Sequence, residues 1–346
     1  MARQDAQRCR VGLIGAGTFG LRHSRFIARS DRAGLVAVAD PTFGSDRPVP
    51  DELREVARYA DHREMLARGD LDGVIVASPS EMHVAHALDC LDAGVAVLVE
   101  KPVAVDREQA RPLLDRVAED PRARVLVGHH RRHHPAVAAA RSLIEEGRLG
   151  EIRAVAAVWA THKTDAYFEI EWRRRRPGGG MLLINLIHEV DLLRHLVGEI
   201  TSVQAIASNK ARGLEVEDTA GLALRFENGA IGTLVGSDSA VSPWGWDQAT
   251  DDDPAFPYHP GQPCLLIAGS RGSVSVPDMT VFTQPEPSWL EPVAQSRVPV
   301  QGADAFARQL AHFADVAAGR ARPLVTAEDA LRSFEVVRTA AQSLAG

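Results

Sequence analysis

The tightest constraint on this chain is the run Gly15-Ala16-Gly17-Thr18-Phe19-Gly20, placed between a short apolar strand at 10–14 and a helical stretch at 19–29. Glycine pairs are common in turns, but GxGxxG after a strand and at the opening of a helix has a specific physical use. Gly15 allows the tight turn, Gly17 lets the backbone come close to a ligand, and Gly20 lets helix and strand pack together. The helix start offers N–H groups without intrahelical partners, together with the positive end of the helix dipole. An anion, here the pyrophosphate of a dinucleotide, fits that combination.

The pattern around the loop supports this reading. Apolar runs at 35–39, 74–77, 95–99 and 124–127 alternate with helical stretches at 51–68, 82–93 and 106–119. Such alternation implies right-handed βαβ units around a parallel sheet. Asp40 closes the second run, twenty residues beyond Gly20. An acid there accepts hydrogen bonds from ribose hydroxyls and repels a 2′-phosphate, so NAD is expected and NADP is less favoured. A plainer role for Asp40 is to start the turn at Pro41, and Arg47 in the next loop would soften the preference. Ser78-Pro79 stops the third strand, with His83 just beyond it, and both lie where the nicotinamide end is expected. Glu100-Lys101-Pro102 stops the fourth strand, at the edge of the sheet where ligands bind in such folds.

After Pro135 the rhythm changes. A helix at 135–146 and a strand at 152–161 lead into an arginine-rich loop, then Gly178-Gly179-Gly180 opens a helix that runs to 197. Several strands follow between 203 and 282, with a hairpin turn at Glu227-Asn228-Gly229. Strands joined by short turns form an antiparallel sheet. Helices at 303–318 and 327–344 end the chain, and they are candidates to pack on the first domain. The fold class is α/β: a Rossmann domain at 1–127, then an α+β domain at 128–346.

Composition narrows the classes of partner. The formal net charge is −7, which argues against nucleic acid. No signal peptide and no long apolar run occur, so no membrane span is expected. Cys9, Cys90 and Cys264 form no CxxC pair, which suits a reducing, cytoplasmic setting. His129, His130, His133, His134 and His188 invite a metal reading, but no HExxH or cysteine ligand accompanies them, and no metal is expected.

Four segments in order, the glycine loop, Glu100-Lys101-Pro102, Gly128-His129-His130-Arg131-Arg132 and the stretch from Gly178 through Asn185 and His188 to Leu193, resemble the glucose–fructose oxidoreductase and inositol dehydrogenase family. The resemblance covers nearly the whole chain. It implies an open, mostly antiparallel sheet in the second domain that mediates a homodimer or homotetramer. It also implies oxidation of a secondary alcohol on a sugar, polyol or related hydroxylated ring. It carries the family's lysine to Lys101 and its helix histidine to His188. Many members have an aspartate four residues before that histidine. Here Ile184 stands there, and Asn185 is the nearest polar residue.

Such an oxidation needs a base for the hydroxyl proton and a donor to the forming carbonyl. His188, whose ordinary pKa is near neutral, suits the base, and Lys101 suits the donor or a second base. The candidate cofactor residues are Gly15, Gly17, Thr18, Phe19, Gly20, Asp40, Ser78, Pro79, His83, Glu100 and Lys101. The candidate substrate residues are Lys101, His130, Arg131, Tyr167, Trp172, Arg173, Asn185 and His188. Arg173, in the run Arg173–Arg176, would pair with a carboxylate, which raises the prospect of an acidic substrate. Asp191 and His195 share roughly the His188 face and serve either the site or helix packing. Two other readings stay open: NAD held tightly for transient oxidation, as in glycoside cleavage, and a non-catalytic NAD-dependent sensor.

Overall fold

The computed structural model describes residues 8–45, 48–284, 286–301 and 304–344. Arg47 lies outside them. The chain divides into two compact units, one from Met1–His130 and Phe306–Arg332, the other from Arg131–Ala305 and Ser333–Gly346.

The first unit opens with β1 (Cys9–Ile14), α1 (Thr18–Ala28) and β2 (Ala33–Ala39). It continues with β3 (Ala57–Tyr59), α2 (His62–Leu66), β4 (Gly73–Val76), α3 (His83–Asp92), β5 (Ala96–Val99), α4 (Arg107–Glu119) and β6 (Val125–Val127). The strands lie in the order β3-β2-β1-β4-β5-β6, and every pairing is parallel. All residues of β4, β5 and β6 are buried, so both faces of these strands are covered. That is why they read as unbroken apolar runs rather than alternating ones. The strand order reverses between β1 and β4, the place where sheets of this kind take ligands.

The stretch 51–68 is not the helix its sequence suggests. It forms a 3-10 turn (Asp51–Leu53), then β3, then the five-residue α2. Ala57–Tyr59 pair with Ala37–Ala39 at the sheet edge. The Asp61 carboxylate accepts from the Arg63 N–H and starts a new helix. A cap in mid-pattern therefore divides what reads as one helix.

The second unit holds α5 (Pro135–Glu145), β7 (Ile152–Ala160), a π-helical stretch Leu182–Leu186 and α6 (Ile187–Val197). β8 (Ile200–Ser208), β9 (Thr219–Phe226), β10 (Ile231–Ser237), α7 (Trp246–Thr250), β11 (Leu265–Gly269), β12 (Gly272–Val276), β13 (Thr280–Thr283) and β14 (Ala294–Arg297) follow; the chain then forms α8 (Ala305–Ala317), mostly in the first unit, and α9 (Ala327–Ser343), which passes from the first unit into the second at Ser333. The sheet order is β14-β13-β12-β11-β7-β10-β9-β8. Its pairings are antiparallel except β7 with β10. Asn228-Gly229 makes the β9–β10 turn, with Gly229 at φ 87°.

In β9 and β10 burial alternates, with Leu222, Leu224 and Leu234 inward and Ala223, Thr233 and Val235 outward. One face is therefore packed and the other open. The open face carries an apolar row: Val158, Val235, Gly221 and Ile206 lie side by side across the strands, and Ile206 is 82% exposed. Apart from Ala305, α8 belongs to the first unit. There its Phe313 ring sits where a side chain on Gly73 of β4 would lie.

Candidate active site

The glycine loop is shaped by close backbone approaches. Gly15 has φ 98°, and a Cβ on it would meet the Ala77 carbonyl oxygen at 2.6 Å. A Cβ on Gly20 would lie 1.9 Å from the Gly15 oxygen, so only glycine lets α1 start this close to its own loop. Around Gly17, by contrast, nothing lies within 4 Å of that position. The N-terminus of α1 has no side-chain cap and no acid in its first turn. An open approach and a helix start with neither cap nor acid in its first turn fit a pyrophosphate. Asp40 fills the turn role and also reaches the loop: one oxygen accepts from Thr42 N–H (2.9 Å), the other from Ala16 N–H (2.7 Å). The Thr42 hydroxyl also donates to the first of these oxygens at 2.6 Å.

Glu100, Lys101 and Pro102 leave the end of β5 beside this loop. Lys101 Nζ lies 5.9 Å from the centre of the Phe19 ring. The Glu100 carboxylate is buried and meets His23 Nε2 at 2.7 Å, and it accepts from the Lys101 N–H at 3.1 Å. Burial pushes this carboxyl up, but His23 and the Lys101 charge overcome it and hold the group below its ordinary range. Gly128, at the end of β6, leaves room for that carboxylate, 3.1 Å from where a Cβ would sit. His83 has a different place from the cofactor contact expected of it. It is 1% exposed, and its ring nitrogens face the Ser78 oxygen (2.9 Å) and the Pro102 oxygen (2.8 Å). Burial lowers its pKa against the pull of those carbonyls. His83 thus ties the end of β4 to the turn after Lys101. Ser78 Oγ meets His86 Nδ1 at 2.9 Å.

In the second unit the glycine run works by exclusion. A Cβ on Gly180, at φ 98°, would lie 2.5 Å from a Glu217 oxygen. That carboxylate accepts from the Leu182 N–H at 2.9 Å, and burial raises its pKa. Asn185 lies in the π-helical turn, a rare geometry often found at functional sites. His188 follows in the first turn of α6, 9% exposed. Lys163, three residues past β7, donates to Asn185 Oδ1 at 2.6 Å and lies 4.1 Å from the Tyr167 ring centre. The Arg173 guanidinium is also 4.1 Å from that ring centre, and 5.8 Å from that of Trp172. So Tyr167, Arg173, Asn185 and Trp172 lie close together, around a lysine that the sequence reading passed over. Its only sequence signal is its place just past a strand end.

Arg131 is a correction. It is buried and ion-paired with Glu189, with Asp247 at 3.3 Å, so its charge is consumed inside the unit. Arg132 likewise grips Asp191 through two bonds of 2.8 and 2.6 Å, and Ser333 completes that network. Asp191 therefore serves packing. His130 is buried with its ring stacked on Phe306 at 3.9 Å. His134 meets the edge of Trp246. Among the described residues no three His, Cys, Asp or Glu side chains gather as metal ligands.

Comparison with known proteins adds the family. The description "Oxidoreductase family, NAD-binding Rossmann fold" matches residues 9–129, and the GFO/IDH/MocA C-terminal domain matches residues 137–275. The chain is 28% identical over 270 residues to the inositol 2-dehydrogenase of Rhizobium meliloti, covering 77% of this chain and 74% of that one. The WlbA dehydrogenase from Bordetella pertussis, solved with NADH and UDP-GlcNAcA, superposes with a TM-score of 0.73 at 24% identity, covering 98% and 97% of the two chains. An oxidoreductase from Agrobacterium radiobacter, solved with NAD+, L-tartaric acid and magnesium, gives 0.78 at 20% identity over the same shares. With both of its characteristic domains matched in order, the chain belongs to the GFO/IDH/MocA family of NAD-binding oxidoreductases.

Proposed function

We propose that this oxidoreductase removes hydride from a secondary alcohol of a sugar, polyol or related hydroxylated ring, with NAD as acceptor. The observation that carries the reading is Lys101, set at the carboxyl end of β5 beside Phe19 of the glycine loop and anchored through buried Glu100. When bound, NAD supplies the hydride acceptor. The first unit is the cofactor domain: Gly15, Gly17, Thr18, Phe19 and Gly20 receive the pyrophosphate, and Asp40 the ribose. The second is the substrate domain. His188 takes the hydroxyl proton, Lys101 donates to the oxygen as it becomes a carbonyl, and Asn185 orients a neighbouring substrate oxygen. Relatives named inositol 2-dehydrogenase support a polyol-like substrate.

The apolar outer face of the second sheet is proposed as the contact between copies in a homodimer or homotetramer. Three buried, unbridged cysteines fit a cytoplasmic setting. No helix among the described residues is long and apolar enough to cross a membrane.

The test is a screen of polyols, sugars and sugar acids with free NAD, read as NADH absorbance. Repeated turnover supports the reading. NAD that stays bound and is released only on denaturation points to transient oxidation on a resident cofactor. NAD binding with no reduction by any alcohol overturns it in favour of a sensor.

A further inference from the structure

The turn that leads through Asn185 to His188 begins at an N–H whose acceptor lies far away in the sequence. The π-helical stretch Leu182–Leu186 has no side-chain cap from Met181, the residue before it. The first N–H groups of a helix lack intrahelical partners and are ordinarily answered by a side chain just before them. Here the Leu182 N–H donates instead to the Glu217 carboxylate, 35 residues on, at 2.9 Å. Leu182 is fully buried, so water does not stand in for that acceptor.

Glu217 is placed to act as a fixed point. It stands two residues before β9, and the sheet holds its neighbour Asp218 on both backbone sides. The Asp218 N–H donates to the Ser208 carbonyl, and the Asp218 carbonyl accepts from the Asp238 N–H, each at 2.9 Å. The Arg176 charge favours the ionised form of Glu217 and that of Asp238 opposes it. Room for the carboxylate comes from the glycine run, because any side chain on Gly180 would begin 2.5 Å from a Glu217 oxygen. The far end of the π-helical turn is seated by packing. Leu186 fills the space over Gly236 of β10, where a Cβ would lie 2.6 Å from Leu186 Cδ2. The turn is thus pinned at both ends, by a hydrogen bond at Leu182 and by packing at Leu186. Asn185 lies between the two pins, and His188 follows directly after them.

We propose that Glu217 is a positioning residue for the oxidation: its bond to the Leu182 N–H sets the π-helical turn and so places the Asn185 amide and the His188 ring for the substrate. This rests on the alcohol oxidation proposed above and adds the residue that orders its proton-accepting side. Glu217 acts through the turn and touches neither substrate nor cofactor. A misplacement of about 1 Å at a reacting group costs about 100-fold in rate, so the effect is read in kcat.

Two variants separate the bond from the charge. Glu217→Gln keeps the reach and an acceptor oxygen but loses the charge. Glu217→Asp keeps the charge but is one methylene shorter and withdraws from Leu182. Glu217→Gln is expected to keep kcat within about threefold of wild type, and Glu217→Asp to lower it by about 10- to 100-fold with the Kd for NAD unchanged. The opposite order, two unaffected variants, or an equal fall in both overturns the proposal. The ring resonances of His188, identified by their loss in His188→Ala, give a readout without turnover. They should shift in Glu217→Asp and hold in Glu217→Gln. If the wild type oxidises no alcohol but the resonances follow that pattern, the alcohol oxidation fails and the positioning stands. If alcohols are oxidised and neither kcat nor the resonances change in Glu217→Asp, the positioning fails alone. Should Glu217→Asp not fold, hydrogen exchange in the wild type decides. The Leu182 N–H should exchange at least about 100-fold more slowly than in an unfolded peptide, and exchange at the peptide rate overturns the proposal.

Discussion

The two units of this chain meet their functional demands in opposite ways. In the first, backbone does the shaping: Gly15 and Gly20 are required because carbonyl oxygens lie 2.6 and 1.9 Å from where their side chains would begin. In the second, side chains from distant stretches meet, as Lys163 meets Asn185. A pyrophosphate is the same in every dinucleotide, so one backbone solution suits it. Substrates differ, and side chains are the cheaper part of a protein to vary.

The sharpest way to break this comparison is Gly20→Val. It should abolish NAD binding, a loss of more than about 100-fold in calorimetric titration, because the clash is with backbone and cannot be relieved by a rotamer change. A variant that still binds NAD within tenfold of wild type would show that the loop is not backbone-limited. Next in size, Lys101→Met and His188→Ala should each lower kcat by about 10²- to 10⁴-fold while NAD affinity stays within threefold. A parallel loss of NAD affinity in His188→Ala would blur the division between the units. Asp40→Ser should narrow the preference for NAD over NADP by about tenfold, read from the ratio of kcat/KM values.

On the open sheet face, Val235→Glu should shift the sedimentation of the protein towards the monomer. Its melting temperature should change by only a few degrees, since Val235 is half exposed. Unchanged sedimentation would remove that face from the assembly. The smallest effect concerns acid stability. The Glu100 carboxyl is held below its ordinary 4.5, so it stays ionised in the folded chain at pH values where the unfolded chain takes up a proton. Its contribution is complete above about pH 4.5 and is lost as the pH falls through the folded value. Glu100→Gln should therefore flatten the acid limb of a plot of melting temperature against pH.

Much of the fold was legible because its causes are local. Fully buried parallel strands must be apolar at every position, and Asn-Gly at 228–229 names its own turn. The stretch 51–68 was not legible, since β3 exists only through pairing with β2. At the site, the glycine loop and Asp40 stand at the spacing of a dinucleotide-binding fingerprint, which is readable without the fold. The fate of Arg131 depends on Glu189, 58 residues away, and no local pattern separates a buried ion pair from a substrate contact. Lys163 was missed for the same reason: its partner Asn185 sits in a π-helical turn that no periodicity announces.

The Phe313 ring over Gly73 has a consequence in time. The first unit is closed by a helix made roughly 240 residues after the strand it covers, and the Val127 N–H waits likewise for the Val325 carbonyl at 3.0 Å. At ribosomal rates of about 5–20 residues per second, that interval is on the order of 10 to 50 s. Throughout it, the flank of β4 stays without its cover while Arg131–Ala305 of the second unit are made. The first unit to emerge from the ribosome is thus among the last to be finished, and a chain cut short before α8 would leave an incomplete nucleotide domain even with every residue of the glycine loop in place.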